Sequence, residues 1–419
     1  MKFTFVLNSI DRVGGVRVVF EYATRLNQRG HQVHLVYPAV NLAFLKTLSF
    51  GGLILWLVVS AARRMRNVIR RNPLQPFEVH THVIKIPLLH QRFVHLVEKS
   101  IPDADVVVAT AWETAYPVSR LHPKKGRQFY FVQNYEIWDS WRDEDSWSNA
   151  KRLKGKDETC ALAMADVTPK KKRLKASKEA VDRSFSLPLR KITIAEWLRR
   201  LIEDKFGQKV EAVIPNGVNF DIFFEQGKSR RESTHINVLM PYRREKLKGF
   251  NDGLRALARV RARHPNVRFT MFGRRPPINF GKLPKLPAWI EFHDGISDAQ
   301  LRALYNEAHI FVVPSWVEGF PLPPMEAMAC GCAVVTTDAG GFSDYLKDGE
   351  TALVVPIRNP GALASGVCRL IENDDERQKM AENGHRFVQQ FTWERATDEL
   401  EAILMNESSS ASPLERWSL

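Results

Sequence analysis

Along almost the whole of this 419-residue chain, apolar runs of strand length alternate with segments whose apolar residues recur at the helical period. A parallel sheet needs that alternation. Its central strands are buried on both faces, and each must be followed by a crossover long enough to return to the same edge. Lys2–Leu7, His31–Tyr37, Val79–Ile86, Asp105–Thr110, Gln128–Val132, Lys191–Ala195 and Val210–Ile214 read as the strands of one sheet. Ile236–Met240, Arg268–Phe272, Ile290–His293, Ile310–Val313, Ala333–Thr337 and Ala352–Val355 read as those of a second. Between them, Val16, Val19, Phe20, Ala23 and Leu26 make a helical stripe that Gly30 closes, and Ser297 with Gln300 makes a capping box.

The length exceeds what one core organises, and the series has a break. Pro215-Asn216-Gly217-Val218-Asn219 is a turn signal followed by a polar, charged stretch. The expected organisation is a doubly wound α/β domain over 1–214 with a basic, apolar insertion at about 41–72, a linker over 215–234, and a second doubly wound domain over 235–388. A helix over 389–405 is expected to pack back on the first domain, and 406–419, opening on a serine-rich run, to be disordered. Ligands of such sheets bind outside the carboxyl ends of the strands, which here means the cleft between the domains.

Into that cleft run Ile310–Val313 and the turn Ser315-Trp316-Val317-Glu318-Gly319-Phe320-Pro321-Leu322, followed by a short helix bearing Glu326 and closed by Gly331. Pro323 and Pro324 suit the first turn of that helix, and its N-terminus favours an anion. Two carboxylates beside an anion site point to sugar hydroxyls as their partners. Arg243-Arg244-Glu245-Lys246-Leu247-Lys248-Gly249 follows the first strand of the second domain and faces the same cleft, with the fork of an arginine and the point charge of a lysine suited to a diphosphate. Gly14-Gly15 opens the first helix and lets backbone approach a ligand closely, but no GxGxxG accompanies it, which disfavours hydride transfer.

Together, the strand–Glu318-x7-Glu326–helix element, Arg243 with Lys248-Gly249, the Gly14-Gly15 loop and Pro215-Asn216-Gly217-Val218 resemble glycosyltransferase family 4. The pattern from Pro314 to Gly341 is the specific part, although Asn219 stands where the family often has Asp. Val132-Gln133-Asn134-Tyr135-Glu136-Ile137-Trp138 is similar to a bacterial polysaccharide-assembly subgroup. The resemblance implies a GT-B fold and a retaining transferase that uses a nucleotide-diphosphate sugar, with no metal or other cofactor. It implies that Arg243 and Lys248 neutralise the diphosphate, helped by the backbone of Gly319, Phe320, Pro321 and Leu322 and by Gly14 and Gly15. Glu318 would hold the transferred sugar, Glu326 the ribose, and the region of Gly295 and Ile296 the base. Glu113, just after a first-domain strand, is the carboxylate placed to position acceptor or sugar.

Four cysteines (Cys160, Cys330, Cys332 and Cys368) lack a second pair at metal-ligand spacing, so a reducing compartment is expected. The run Phe3–Leu7 is too short for a signal-peptide core, and a cytoplasmic location follows as the expectation. Asp103-Ala104-Asp105 and Asp143-Glu144-Asp145 match a DxD spacing, yet the first reads as a strand boundary. The formal charge is +14, and residues 41–100 hold nine Lys/Arg against two Glu, half of that excess. Thr47–Ala62 carries no charge, and as a helix it would span roughly 24 Å at ~1.5 Å per residue, short of the ~30 Å hydrocarbon core. Backed by Arg63, Arg64, Arg66, Arg70 and Arg71, it fits a helix dipping into an anionic leaflet, hence a peripheral position at the inner membrane face and a glycan or lipid-linked acceptor. Lys170-Lys171-Lys172-Arg173 has no nucleic-acid-binding motif beside it, so no nucleic-acid partner is expected. Two alternatives stand beside the transferase: a sugar-nucleotide epimerase or hydrolase, and a basic membrane- or nucleic-acid-binding protein with a degenerate fold of this type.

Overall fold

The computed structural model describes residues 1–10, 14–41, 82–89, 98–136, 171–227, 235–243, 245–274, 286–342 and 344–406. The apolar stretch Thr47–Ala62 with its arginines, the Asp143–Asp145 loop, the Lys170 end of the second basic run and the serine-rich tail beyond Asn406 fall outside them. Among the described residues, no helix is long and apolar enough to cross a membrane.

In the first half, β1 (Lys2–Val6), β2 (Gln32–Asn41), β3 (His82–Leu89), β4 (Val106–Ala109), β5 (Arg127–Val132), β6 (Arg190–Thr193) and β7 (Val210–Val213) form one sheet in the order β3-β2-β1-β4-β5-β6-β7. In the second, β8 (Asn237–Tyr242), β9 (Arg268–Gly273), β10 (Ile290–Asp294), β11 (Ile310–Val313), β12 (Ala333–Thr337) and β13 (Leu353–Val355) form another in the order β10-β9-β8-β11-β12-β13. Every pairing is parallel. Each expected apolar run contains a strand, although Val79, His80 and Thr81 of the third lie outside the described residues and β3 runs on to Leu89. The reason is visible in β4, β11 and β12, whose residues are all buried and which lie inside their sheets, where only an unbroken apolar or small sequence fits.

The helices are α1 (Gly14–Gln28), α2 (Trp112–Val118), α3 (Lys171–Phe185), α4 (Glu196–Arg200), α5 (Phe250–Arg263), α6 (Asp298–Glu307), α7 (Leu322–Ala329), α8 (Pro360–Glu372), α9 (Asp374–Val388) and α10 (Trp393–Met405). The capping box of α6 is in place, with the Ser297 hydroxyl accepting from the Gln300 N–H and the Gln300 side chain accepting from the Ser297 N–H. Both sheets reverse their strand order once, at β1/β4 and at β8/β11. Those two switch points are where a crevice opens between diverging loops.

The chain crosses from β7 into the second domain and returns after α9. At the crossing the Val218 N–H donates to the Phe391 carbonyl at 2.9 Å. Helix α10 then lies along α1 of the first domain. Trp393, 2% exposed, meets Tyr22 edge to face at 5.3 Å, and Arg25 pairs with Glu394 at 2.9 Å. Arg29 reaches Glu401 at 2.5 Å and Asp398 at 2.7 Å. The exposed ion pairs contribute little each, so the buried indole is the main anchor. Trp393→Ala should cost about 3–5 kcal/mol of unfolding free energy. Denaturant melts followed by circular dichroism will show this, and a loss below ~1 kcal/mol would mean that the helix adds nothing to the first domain.

Candidate active site

Strand β8 ends at Tyr242, and Arg243, exposed, is the first residue beyond its carboxyl end. The chain then makes a single 3-10 turn over Lys246–Lys248 before α5. Gly249 joins the two at φ +61°, and a Cβ there would collide with the Pro314 carbonyl at the end of β11. Only glycine combines that dihedral with that approach. The result fixes Lys248 beside the β11 turn. The Trp316 N–H donates to the Leu247 carbonyl at 2.7 Å, and the Lys248 ammonium lies 2.7 Å from Glu318 Oε2. The Ser315 hydroxyl donates to Glu318 Oε1 at 2.7 Å, so the carboxylate is held at both oxygens. The neighbouring Trp316 ring is itself held by Asp252, which accepts from Nε1 at 2.9 Å, with Arg358 4.2 Å from the ring centroid.

The turn after Glu318 is pressed against the opposite domain. The Gly319 carbonyl accepts from Trp197 Nε1 at 2.9 Å, and a Cβ on Gly319 would run into the Gln133 carbonyl at the end of β5. The Phe320 carbonyl accepts from the Asn216 amide at 3.1 Å, and Tyr345 OH donates to the Pro321 carbonyl at 3.1 Å. The backbone of this turn therefore holds the domains together. That amends the expectation for Pro321: it has no N–H to offer an anion, and its carbonyl is taken, so its part is to shape the turn. The same chemistry limits α7. With prolines at 323 and 324, only Leu322 and Met325 bring an N–H to its first turn.

Glu326, 4% exposed, is reached from the first domain. Arg17 Nη1 lies 3.0 Å from its Oε1, and Tyr305 OH donates to its Oε2 at 3.3 Å. Burial pushes this carboxyl up from its ordinary range while the Arg17 charge pulls it back. Nothing in the sequence pattern announced Arg17 as a partner 309 positions away, beyond its place two residues after Gly15. Gly14 is the first residue of α1, and Gly15 lies where a Cβ would stand 3.3 Å from the Gln133 side chain. Gly295 turns the chain after β10 at φ +62°, donating to the Gly273 carbonyl at 2.8 Å, and Ile296 packs half-buried behind it.

On the first domain's edge a second carboxylate joins Glu113. Glu136, three residues past Gln133, accepts from the Trp112 N–H at 2.9 Å. Glu113 interacts with the Asn8 side chain, while its Oε2 is shut off from solvent and has no hydrogen-bond partner among the described residues. Burial, and then the Glu113 charge, push Glu136 up to about 8. Burial likewise raises Glu113. The pair thus holds a proton near neutrality. Asp103 and Asp105 lie at the other end of β4, where Asp103 pairs with Lys125 at 2.8 Å and Asp105 accepts from the Lys2 N–H at 2.7 Å, which is a strand boundary. A grouping of potential metal ligands, His264, Cys368 and Glu372, sits at the end of α5 and on α8, where Arg263 and His264 already share one Glu372 oxygen.

Two parallel-sheet Rossmann-like domains that face each other across these loops make the GT-B fold. Residues 221–387, most of the second domain, match the family described as glycosyl transferases group 1. Over 213 residues the chain is 30% identical to phosphatidyl-myo-inositol mannosyltransferase of Mycobacterium tuberculosis, covering 48% of this chain and 56% of that one. It is 31% identical over 199 residues to an MMP alpha-(1->4)-mannosyltransferase of Mycolicibacterium hassiacum, covering 46% and 47%. The chain thus spans about half the length of these relatives. Among solved structures, sucrose-phosphate synthase from Thermosynechococcus elongatus superposes with a TM-score of 0.69 at 17% identity, over 96% of this chain and 98% of that one. Anabaena HepE in complex with UDP-glucose does so at 0.67 and 16%, over 96% and 99%, a likeness of fold.

The Glu136 carboxyl gives this edge a pH signature. The folded chain binds its proton more tightly than the unfolded chain, so the stability it contributes is full at low pH and lost as pH rises between about 4.5 and 8. Glu136→Gln keeps the neutral form throughout. Melting temperatures measured from about pH 5 to pH 9 should therefore fall less steeply in Glu136→Gln than in wild type. Parallel curves would show that Glu136 is an ordinary carboxylate.

Proposed function

We propose that the protein is a retaining, metal-independent glycosyltransferase that moves a sugar from a nucleotide diphosphate to a glycan or lipid-linked acceptor in cell-surface polysaccharide assembly. The observation that carries this reading is the Lys248–Glu318–Ser315 cluster at the β8/β11 switch point, held against the first domain by the Gly319 turn. Breaking the anomeric C–O bond leaves negative charge on the diphosphate and an electron-poor sugar. Preorganised cations at the leaving phosphate supply the electrostatics that this requires. Lys248 is paired with Glu318 at 2.7 Å. An incoming diphosphate draws the ammonium to itself, and the freed carboxylate takes up sugar hydroxyls. Arg243, exposed at the carboxyl end of β8, is the second cation for the leaving group.

A helix N-terminus is worth only about 0.3–1 kcal/mol at an exposed site. With two prolines in the first turn of α7, the weight falls on Lys248 and Arg243. The carboxylate pair Glu113/Glu136 and Asn8 occupy the first-domain edge, and in this reading that edge positions the acceptor. The likeness to a phosphatidyl-myo-inositol mannosyltransferase supports a lipid-linked acceptor, and the UDP-glucose bound by HepE, a protein of the same fold, is in keeping with a nucleotide-sugar donor. The basic, apolar 41–72 segment favours an anionic membrane surface at the inner face.

Thermal-shift and transfer assays with UDP-, GDP-, dTDP- and CDP-sugars, with and without EDTA, test the proposal. One donor should raise the melt by mass action, and EDTA should leave that shift intact. Lys248→Ala should lower turnover by about 10²–10³-fold, as the loss of a preorganised charge-stabilising donor does. Turnover within a few-fold of wild type for the Arg243→Ala/Lys248→Ala pair would remove the leaving-group assignment.

A further inference from the structure

Arg17 is the one guanidinium of α1 that crosses to the second domain among the described contacts of Glu326. Its Nη1 stands 3.0 Å from Glu326 Oε1 and its Nη2 3.9 Å from Asp298 Oδ2, with the guanidinium 5.3 Å from the Phe223 ring centroid. Three elements outside the first domain thus receive one side chain of it. Both charged ends of the main pair are largely withdrawn from water, at 21% and 5% side-chain exposure. A long cation is not buried this way for the surface term alone. An exposed pair is worth ~1 kcal/mol or less, and burying one costs desolvation of both ions.

We propose that Arg17 is a positioning residue for the donor nucleotide: from the first turn of α1 it reaches across the cleft and holds Glu326 as the ionised acceptor of the ribose hydroxyls. The inference rests on the reading of Glu326 as the ribose contact. A carboxylate offers about four acceptor positions, two on each oxygen. Among the described residues, Arg17 takes one on Oε1 and Tyr305 OH one on Oε2, which leaves one on each oxygen for a vicinal diol. Only the ionised form offers both, because a protonated carboxyl presents a donor on one side.

The charges facing Glu326 set the balance. Arg17 is the cation. Asp298 on α6 and Glu21 on α1 oppose ionisation, as burial does, while Tyr305 supports the carboxylate through its hydrogen bond. Cys330 and Cys332, just beyond α7, flank Tyr305. Glu21 is itself neutralised by Arg25 at 2.6 Å. Arg17 is therefore the group whose removal moves the carboxyl furthest toward its neutral form. Arg17 also stands two residues after Gly15, in the same first turn of α1. One turn of helix thus carries both the loop assigned to the diphosphate and the cation that readies the ribose carboxylate.

Calorimetric titration of wild type with UDP, GDP, ADP and dTDP first identifies the tightest-binding nucleotide. The same nucleotide is then titrated into Arg17→Met, Arg17→Lys, Glu326→Gln and the Arg17→Met/Glu326→Gln double variant at about pH 6, 7.5 and 9. Expressed as Kd relative to wild type at each pH, Arg17→Met should bind about tenfold weaker at the lowest pH and recover toward wild type at the highest, as a carboxyl losing its cation partner does. Arg17→Lys should stay near wild type throughout. In the Glu326→Gln background Arg17→Met should add nothing. If Arg17→Met shows no cooperative melt, Arg17→Gln, which keeps a hydrogen bond and loses the charge, carries the same test. A ratio near one at every pH, a ratio above wild-type affinity, or an equal loss at every pH overturns the role of Arg17. Glu326→Gln binding like wild type overturns the ribose assignment, and failure of wild type to bind any of the four overturns the nucleotide-sugar reading itself.

Discussion

The close approach of two backbones, at Gly319 and Gln133, is the constraint on which the rest of this molecule depends. A side chain at 319 would push the β11–α7 turn off the end of β5. The Trp197 and Asn216 bonds to that turn's carbonyls would then have nothing to hold. Glu318 and Glu326 sit on either side of the contact. Their distance from the first domain is therefore set by the absence of one methyl group. Interiors of this density transmit such a displacement instead of absorbing it.

Charge is arranged around that contact in pairs whose members come from distant parts of the chain. Lys248 with Glu318 joins two loops of the second domain, whereas Arg17 with Glu326 joins the domains. The two pairs differ in kind. The first lies where a diphosphate can compete for the lysine, and the second is buried deeply enough that breaking it strands a charge. One is suited to exchange partners during a reaction and the other to persist through it.

Much of this was legible from residue order. The strands announce themselves because a parallel sheet leaves its central members no solvated face, so Val106–Ala109 and Ile310–Val313 could hardly be anything else. The neighbourhood of Lys248 and Glu318 was legible for a related reason: both follow strands whose carboxyl ends meet at a switch point. Arg17 and Glu136 were not. Each acquires its meaning from a neighbour, Glu326 or Glu113, that only the folded chain brings close, and burial then gives both carboxyls properties that their sequence surroundings do not encode. Pro321 was misjudged as an anion contact because the family pattern names positions, while the missing N–H and the Tyr345 hydroxyl decide what a position can do.

The return of the chain after α9 has a consequence for how the molecule is made. Helix α10 completes the first domain, yet between β7 and that helix lie the whole second sheet and its helices. The second domain is in effect inserted into the first. During synthesis the first domain emerges early without the indole that caps Tyr22, while the second emerges as an uninterrupted segment that can close on its own core. The domain begun first is thus finished only after the second, and α1 waits for its partner helix until the whole second domain has left the ribosome.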